Sequence, residues 1–82
     1  MKKVIYLSAS WCGPCKSFRP ILQKVTSDLG IPVEYVDVDL NPTFAENFGI
    51  RSVPTTVYMN GETILFKYSG AMTEAQLRNN LM

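Results

Sequence analysis

The chain has 82 residues, two cysteines, no histidine, and charges that nearly cancel, eight Lys plus Arg against seven Asp plus Glu. That length allows one domain, residues 1–82, whose core buries only about 60% of the surface an unfolded chain exposes. The even charge excludes the basic face a nucleic acid needs, and the missing histidine excludes Cys-His nucleophiles, Ser-His-Asp triads and every zinc site built on imidazole.

Met1-Lys2-Lys3 followed by "VIYLSAS" has the outline of a leader peptide, but its apolar stretch, Val4 to Leu7, falls short of the ~7 residues an apolar leader core needs. It reads instead as a first strand, Lys3 to Ser8, apolar enough for burial on both faces. No apolar run approaches the ~20 residues of a membrane span. The expectation is a monomer in the cytoplasm, without membrane or nucleic-acid partners.

From Cys15 the period changes. Cys15, Phe18, Leu22, Val25 and Leu29, with Ile21 beside them, form one stripe of an amphipathic helix. Pro20 should kink it, Gly30 end it, and Pro32 prevent its continuation. Val33 to Asp39, "VEYVDVD", reads as a strand with one wet face. Asn41 and Pro42 look like the N-cap and first residue of a short helix through Phe44 and Phe48, closed by Gly49. Pro54 to Met59 is a third strand. Asn60-Gly61 is a hairpin turn from which Thr63 to Tyr68 returns antiparallel. After Gly70, Thr73 and Gln76 form a capping box opening a last helix through Leu77 and Leu81.

The order βαβ-α-ββα gives an α/β fold. Its first two strands are parallel, joined by a right-handed crossover through the long helix. The hairpin completes a four-stranded mixed sheet with helices on both faces.

In this frame "WCGPC" puts Cys12 at the N-terminus of a helix, where free backbone N–H groups and the helix dipole favour a negative charge. The thiolate is the reactive form of cysteine, so Cys12 is the candidate nucleophile. Cys15 lies one turn further on the buried stripe, placed to resolve a mixed disulfide formed on Cys12. Gly13 eases the turn into the helix, Pro14 sits where its missing N–H costs least, and together they hold the two sulfurs in a fixed geometry and leave the backbone near Cys12 uncrowded. Competing readings are weaker. Zinc would require two chains to supply four ligands, a haem attachment would need histidine where Lys16 stands, and a purely structural disulfide would close too short a loop to stabilise much. A redox-active pair, without metal or other cofactor, is the reading of these residues.

The chain resembles the thioredoxins. "WCGPC" (Trp11 to Cys15) matches their active-site motif, and the likeness continues in Pro20, Asp39 to Pro42, "GIRSVPT" (Gly49 to Thr55), Asn60-Gly61 and Gly70-Ala71. The resemblance implies a minimal thioredoxin fold and an electron carrier that reduces protein disulfides. It implies that Pro54 is a cis-proline facing the cysteines. The implied substrate groove is Trp11, Gly13, Pro14, Val53, Pro54, Gly70 and Ala71, where a peptide could pair with Val53 in strand fashion. Disulfide-containing proteins are the implied substrates, and a thioredoxin reductase the implied electron donor.

Two departures stand out. Thioredoxins usually carry a further strand and helix before the strand leading to the motif. Without them the Val33–Asp39 strand becomes a sheet edge, guarded by Glu34, Asp37 and Asp39. The family's buried acid, credited with taking the proton of the resolving cysteine, is replaced by Tyr6, and its neighbouring lysine by Tyr35. A water or the departing substrate thiolate is then expected to take that proton. Asp37 is the other candidate, its facing left open by the irregular alternation of "VEYVDVD". Two alternative functions follow: a glutaredoxin-like enzyme using glutathione, and a non-catalytic module docking a partner around Trp11 and Pro54. Glutaredoxins have Thr-Val-Pro, a double glycine before an acid, and a basic residue before the first cysteine. Ser52-Val53-Pro54, Gly70-Ala71-Met72 and Ser8 to Ser10 stand there instead.

Overall fold

The computed structural model describes residues 1–50 and 52–82. In chain order the elements are β1 (Lys2–Ser8), α1 (Gly13–Leu29), β2 (Val33–Asp37), α2 (Pro42–Asn47), β3 (Thr55–Asn60), β4 (Thr63–Ser69) and α3 (Glu74–Leu81). The sheet order is β2-β1-β3-β4, with β1 parallel to β2 and antiparallel to β3, and β3 antiparallel to β4. This is the expected mixed sheet, and β2 lies at its edge.

The two central strands are covered on both sides, which explains their unbroken apolar runs. One face of β1, Val4 and Tyr6, packs with Phe18, Leu22 and Val25 of α1 and Leu77 and Leu81 of α3. The other face, Ile5 and Leu7, joins Val57, Met59 and Ala45, with Phe44 and Phe48 alongside. Helices α1 and α3 therefore share one face, and α2 covers the other. Leu29, the last residue of the α1 stripe, is only partly buried. Thr26, polar and outside the expected stripe, is fully buried because its hydroxyl donates to the Leu22 carbonyl at 2.7 Å.

Several boundaries differ from the sequence reading for identifiable reasons. Strand β2 stops at Asp37 rather than Asp39. The Asp37 Oδ1 accepts the backbone N–H groups of Asp39, at 2.9 Å, and Leu40, at 3.4 Å, which turns the chain out of the strand. Asn41 holds the N-cap position of α2 but makes no capping bond there; its Nδ2 donates to the Asp37 carbonyl at 3.1 Å. The hairpin is centred one residue later than expected. Asn60 pairs with Thr63, so Gly61 and Glu62 form the loop. Gly61 has φ +62, and no described non-glycine residue has positive φ. That combination suits a turn needing a left-handed residue at its first central position alone. The capping box of α3 forms as expected, with Thr73 Oγ1 accepting from Gln76 N and Gln76 Oε1 from Thr73 N.

No described helix is long and apolar enough to cross a membrane.

Candidate active site

Strand β1, central in the sheet, ends at Ser8, and α1 starts five residues later at Gly13. Between them the Cys12 N–H donates to the Ala9 carbonyl at 3.1 Å, a turn that sets Cys12 as the N-cap of α1. Its backbone is extended (φ −87°, ψ 109°), and its sulfur accepts the Cys15 N–H at 3.2 Å. A sulfur in that position takes the place usually held by a serine or aspartate oxygen. A hydrogen bond to the thiolate and the positive end of a 17-residue helix both favour the charged form. Cys12 and Cys15 are joined as a disulfide with their Cα atoms 5.3 Å apart.

The pair is buried, Cys12 to 4% exposure and Cys15 to 3%, and packs with Ala9, Val38 and Val53. The Val53–Pro54 peptide is cis. The Gly70 N–H donates to the Pro54 carbonyl at 2.7 Å. Gly70 has φ +114, a backbone state that side chains rarely adopt. The structure thus gathers Cys12, Cys15, Val53, Pro54 and Gly70 at one end of the sheet, with Ala71 exposed beside Gly70.

Gly13 corrects one sequence argument. Its φ is not positive, and a Cβ built on it meets nothing within 4 Å. The turn into α1 does not require glycine; its missing side chain keeps the surface beside Cys12 open. Pro14 fills the second position of α1, where an N–H has no intrahelical acceptor.

Trp11 is 68% exposed, yet it is not free to swing. Its Nε1 donates to Asp39 Oδ2 at 2.7 Å. With Val38, Ala45, Ile50, Ser52 and Val53 it borders a shallow hollow of about 130 Å³. In the sequence Asp39 was legible as an edge acid and as the start of the Asp39 to Pro42 likeness, but not as a partner of Trp11. Its role as the tether of Trp11 depends on the Asp37 turn, which strand alternation does not reveal.

Tyr6 cannot replace a carboxylate. Its hydroxyl donates to the Cys15 carbonyl at 2.9 Å, tying β1 to the first turn of α1. Burial pushes its pKa up to about 12, against an opposing pull from Arg19. Tyr35 packs edge-on against the Tyr6 ring, centroids 6.1 Å apart, and carries the Arg19 guanidinium over its own face at 4.4 Å. An aromatic pair capped by a cation therefore fills the place where the resemblance implies an acid and a lysine. Among the described residues no group of three or more His, Cys, Asp or Glu could hold a metal ion.

The thioredoxin family model matches residues 1–82. A thioredoxin from Mycobacterium tuberculosis is 35% identical over 75 residues, covering 89% of this chain and 65% of that protein. A bifunctional thioredoxin reductase/thioredoxin from Mycobacterium leprae is 36% identical over 75 residues, 89% of this chain and 16% of that one. A relative from Streptomyces coelicolor, 37% identical over 70 residues, is spanned over only 52% of its length. The chain thus spans less than two thirds of each of these relatives. Among solved structures, a mutant thioredoxin from Halobacterium salinarum superposes with TM-score 0.91 at 28% identity, over 98% of this chain and 71% of that one.

Proposed function

The chain belongs to the thioredoxin family, and on that premise we propose that it is a thiol–disulfide oxidoreductase that reduces disulfides in proteins. The observation that carries this reading is the Cys12 sulfur, held at the N-cap of α1 with the Cys15 N–H aimed at it. In the reduced protein the Cys12 thiolate attacks one sulfur of the substrate disulfide. A mixed disulfide forms, and the substrate's other sulfur leaves with the electron pair. Cys15 then attacks the Cys12 sulfur, the Cys12–substrate bond breaks, and the second substrate thiol is released. Two electrons have passed to the substrate, and the protein holds the Cys12–Cys15 disulfide.

Trp11, Gly13, Pro14, Val53, Pro54, Gly70 and Ala71 are proposed to line the substrate groove. The open space over Gly13 and the clustering of Val53, Pro54 and Gly70 around the cysteines support this. The reading requires no cofactor beyond the cysteines and suits a monomer in a reducing compartment such as the cytoplasm. A thioredoxin reductase is the proposed electron donor, supported by the fused reductase in the Mycobacterium leprae relative.

The test is insulin reduction followed by turbidity, driven either by NADPH with a thioredoxin reductase or by glutathione with its own reductase. Turnover with the first system is expected. Turnover with glutathione alone would overturn the proposed donor and favour the glutaredoxin-like alternative. No reduction with either system, or with dithiothreitol as donor, would leave the docking-module reading.

A further inference from the structure

We propose that Asp37 accepts the proton that Cys15 must lose when it resolves the mixed disulfide, through an open cleft on the sheet edge behind Cys15. This rests on the dithiol-exchange reading above.

The cleft, about 310 Å³, is distinct from the hollow beside Trp11, and its lining includes Tyr6, Cys15, Lys16, Arg19, Tyr35 and Asp37. The strand register explains how an acid reaches it. Tyr6 of β1 lies opposite Tyr35 of β2, and Ser8 opposite Asp37. Side chains two residues apart on a strand share a face. Asp37 therefore shares the face of Tyr35, whose ring packs on Tyr6, the residue bonded to the Cys15 carbonyl. The facing that "VEYVDVD" left open is settled by this register.

Every other described titratable group at the cleft is unsuited to the task. Lys16 and Arg19 of α1 are cations. Tyr35 lies under the Arg19 guanidinium. The Tyr6 hydroxyl has committed its hydrogen to the Cys15 carbonyl. Among the described lining residues Asp37 is the acidic one. Its Oδ1 holds the turn through Asp39 and Leu40, while Oδ2 makes no hydrogen bond among the described residues. One carboxylate can thus do two separable things: one oxygen shapes the end of β2, and the other is left without a described partner on a residue that lines the cleft with Cys15.

The Cys15 thiol passes its proton, through solvent in the cleft, to the Asp37 carboxylate. The sulfur's freed electron pair forms the bond to Cys12, and the Cys12–substrate bond breaks with its pair going to the substrate sulfur. That thiolate takes a proton from solvent, and Asp37 returns its own to solvent.

Asp37→Asn separates the two duties, because its amide oxygen can still accept from Asp39 and Leu40 but cannot take a proton. The reduced protein is mixed rapidly with dithiobis(nitrobenzoate), whose released aromatic thiolate is a weak base and a poor substitute acceptor. The first thiolate appears in a phase that scales with reagent concentration, the second in a concentration-independent phase that reports resolution by Cys15. In the unaltered protein the second phase should hold its rate as pH falls below about 8.5, the ionisation range of an unassisted thiol. In Asp37→Asn it should be slowed at least about tenfold at neutral pH, with the loss growing at lower pH and vanishing at alkaline pH, where Cys15 ionises unaided.

Superimposable pH profiles would overturn the proposal, leaving water or the departing thiolate as acceptor. An equal loss at every pH would overturn it too, because it would mean that Asp37 acts only by shaping the turn. Failure of the unaltered protein to release the second thiolate would instead contradict the exchange reading itself.

Discussion

A Cys12→Ser chain should reduce no protein disulfide above background, whereas a Cys15→Ser chain should react once and stop with its substrate held on Cys12. Both variants lose turnover, by at least about three orders of magnitude, the scale on which removing a nucleophile is felt. They differ in what accumulates. The Cys12 sulfur sits at the helix N-terminus and receives the Cys15 N–H, so it is the sulfur whose thiolate is favoured. Cys15 is one turn inside the helix, with its backbone carbonyl bonded to Tyr6. A Cβ built on Gly13 meets nothing within 4 Å, so the surface beside Cys12 is uncrowded. Non-reducing electrophoresis of each variant with oxidised insulin distinguishes the outcomes. A covalent adduct with Cys15→Ser and none with Cys12→Ser is expected, and the reverse pattern would exchange the roles of the two cysteines.

The second large effect is on stability. Phe18→Ala should cost about 3–5 kcal/mol, the usual loss for truncating a buried aromatic side chain. Phe18 is 1% exposed and meets the Tyr6 ring at a centroid distance of 6.0 Å and an interplanar angle of 55°. It lies where α1 is pressed against the centre of the sheet, within the cluster that also contains Leu22, Leu77 and Leu81. A domain is stable by only about 5–15 kcal/mol, and one this small belongs near the lower end. The midpoint of thermal unfolding should fall by at least about 12 °C, at roughly 4–8 °C per kcal/mol for a domain of this size. Circular dichroism melting checks it; a shift of only a few degrees would mean that α1 is held mainly by other contacts.

Much of this structure was legible because its signals are local or periodic. The Cys15-Phe18-Leu22-Val25 stripe identified α1 and the face it buries, and Thr73 with Gln76 marked the start of α3. The unbroken apolar residues of β1 and β3 marked them as central strands. What was missed depends on side chains acting across the chain. Asp37 ends β2 by capturing two backbone N–H groups, and nothing in alternating polarity announces that capture. Asp39 then becomes the partner of Trp11, 28 residues away. Gly61 shifted the hairpin by one residue because a turn may need positive φ at one position rather than two.

The candidate site shows the same division. The motif supplied the cysteines, and the resemblance supplied Val53, Pro54, Gly70 and Ala71. The role of Tyr6 was invisible until its hydroxyl was seen bonded to the Cys15 carbonyl. At Gly13 the uncrowded backbone expected beside Cys12 agrees with the structure, whereas the turn into the helix does not need a glycine. Space outside the helix, rather than backbone strain within it, is what that glycine provides.

The most direct test of dithiol exchange is a single-turnover transfer. Fully reduced protein, freed of reductant, is mixed with an equimolar protein disulfide, and both partners are analysed by mass spectrometry after acid quenching. One substrate disulfide is expected to open for each chain oxidised, with the chain lighter by the mass of two hydrogens and peptide mapping placing the new bond between Cys12 and Cys15. A substrate left oxidised while the chain keeps both thiols would contradict it.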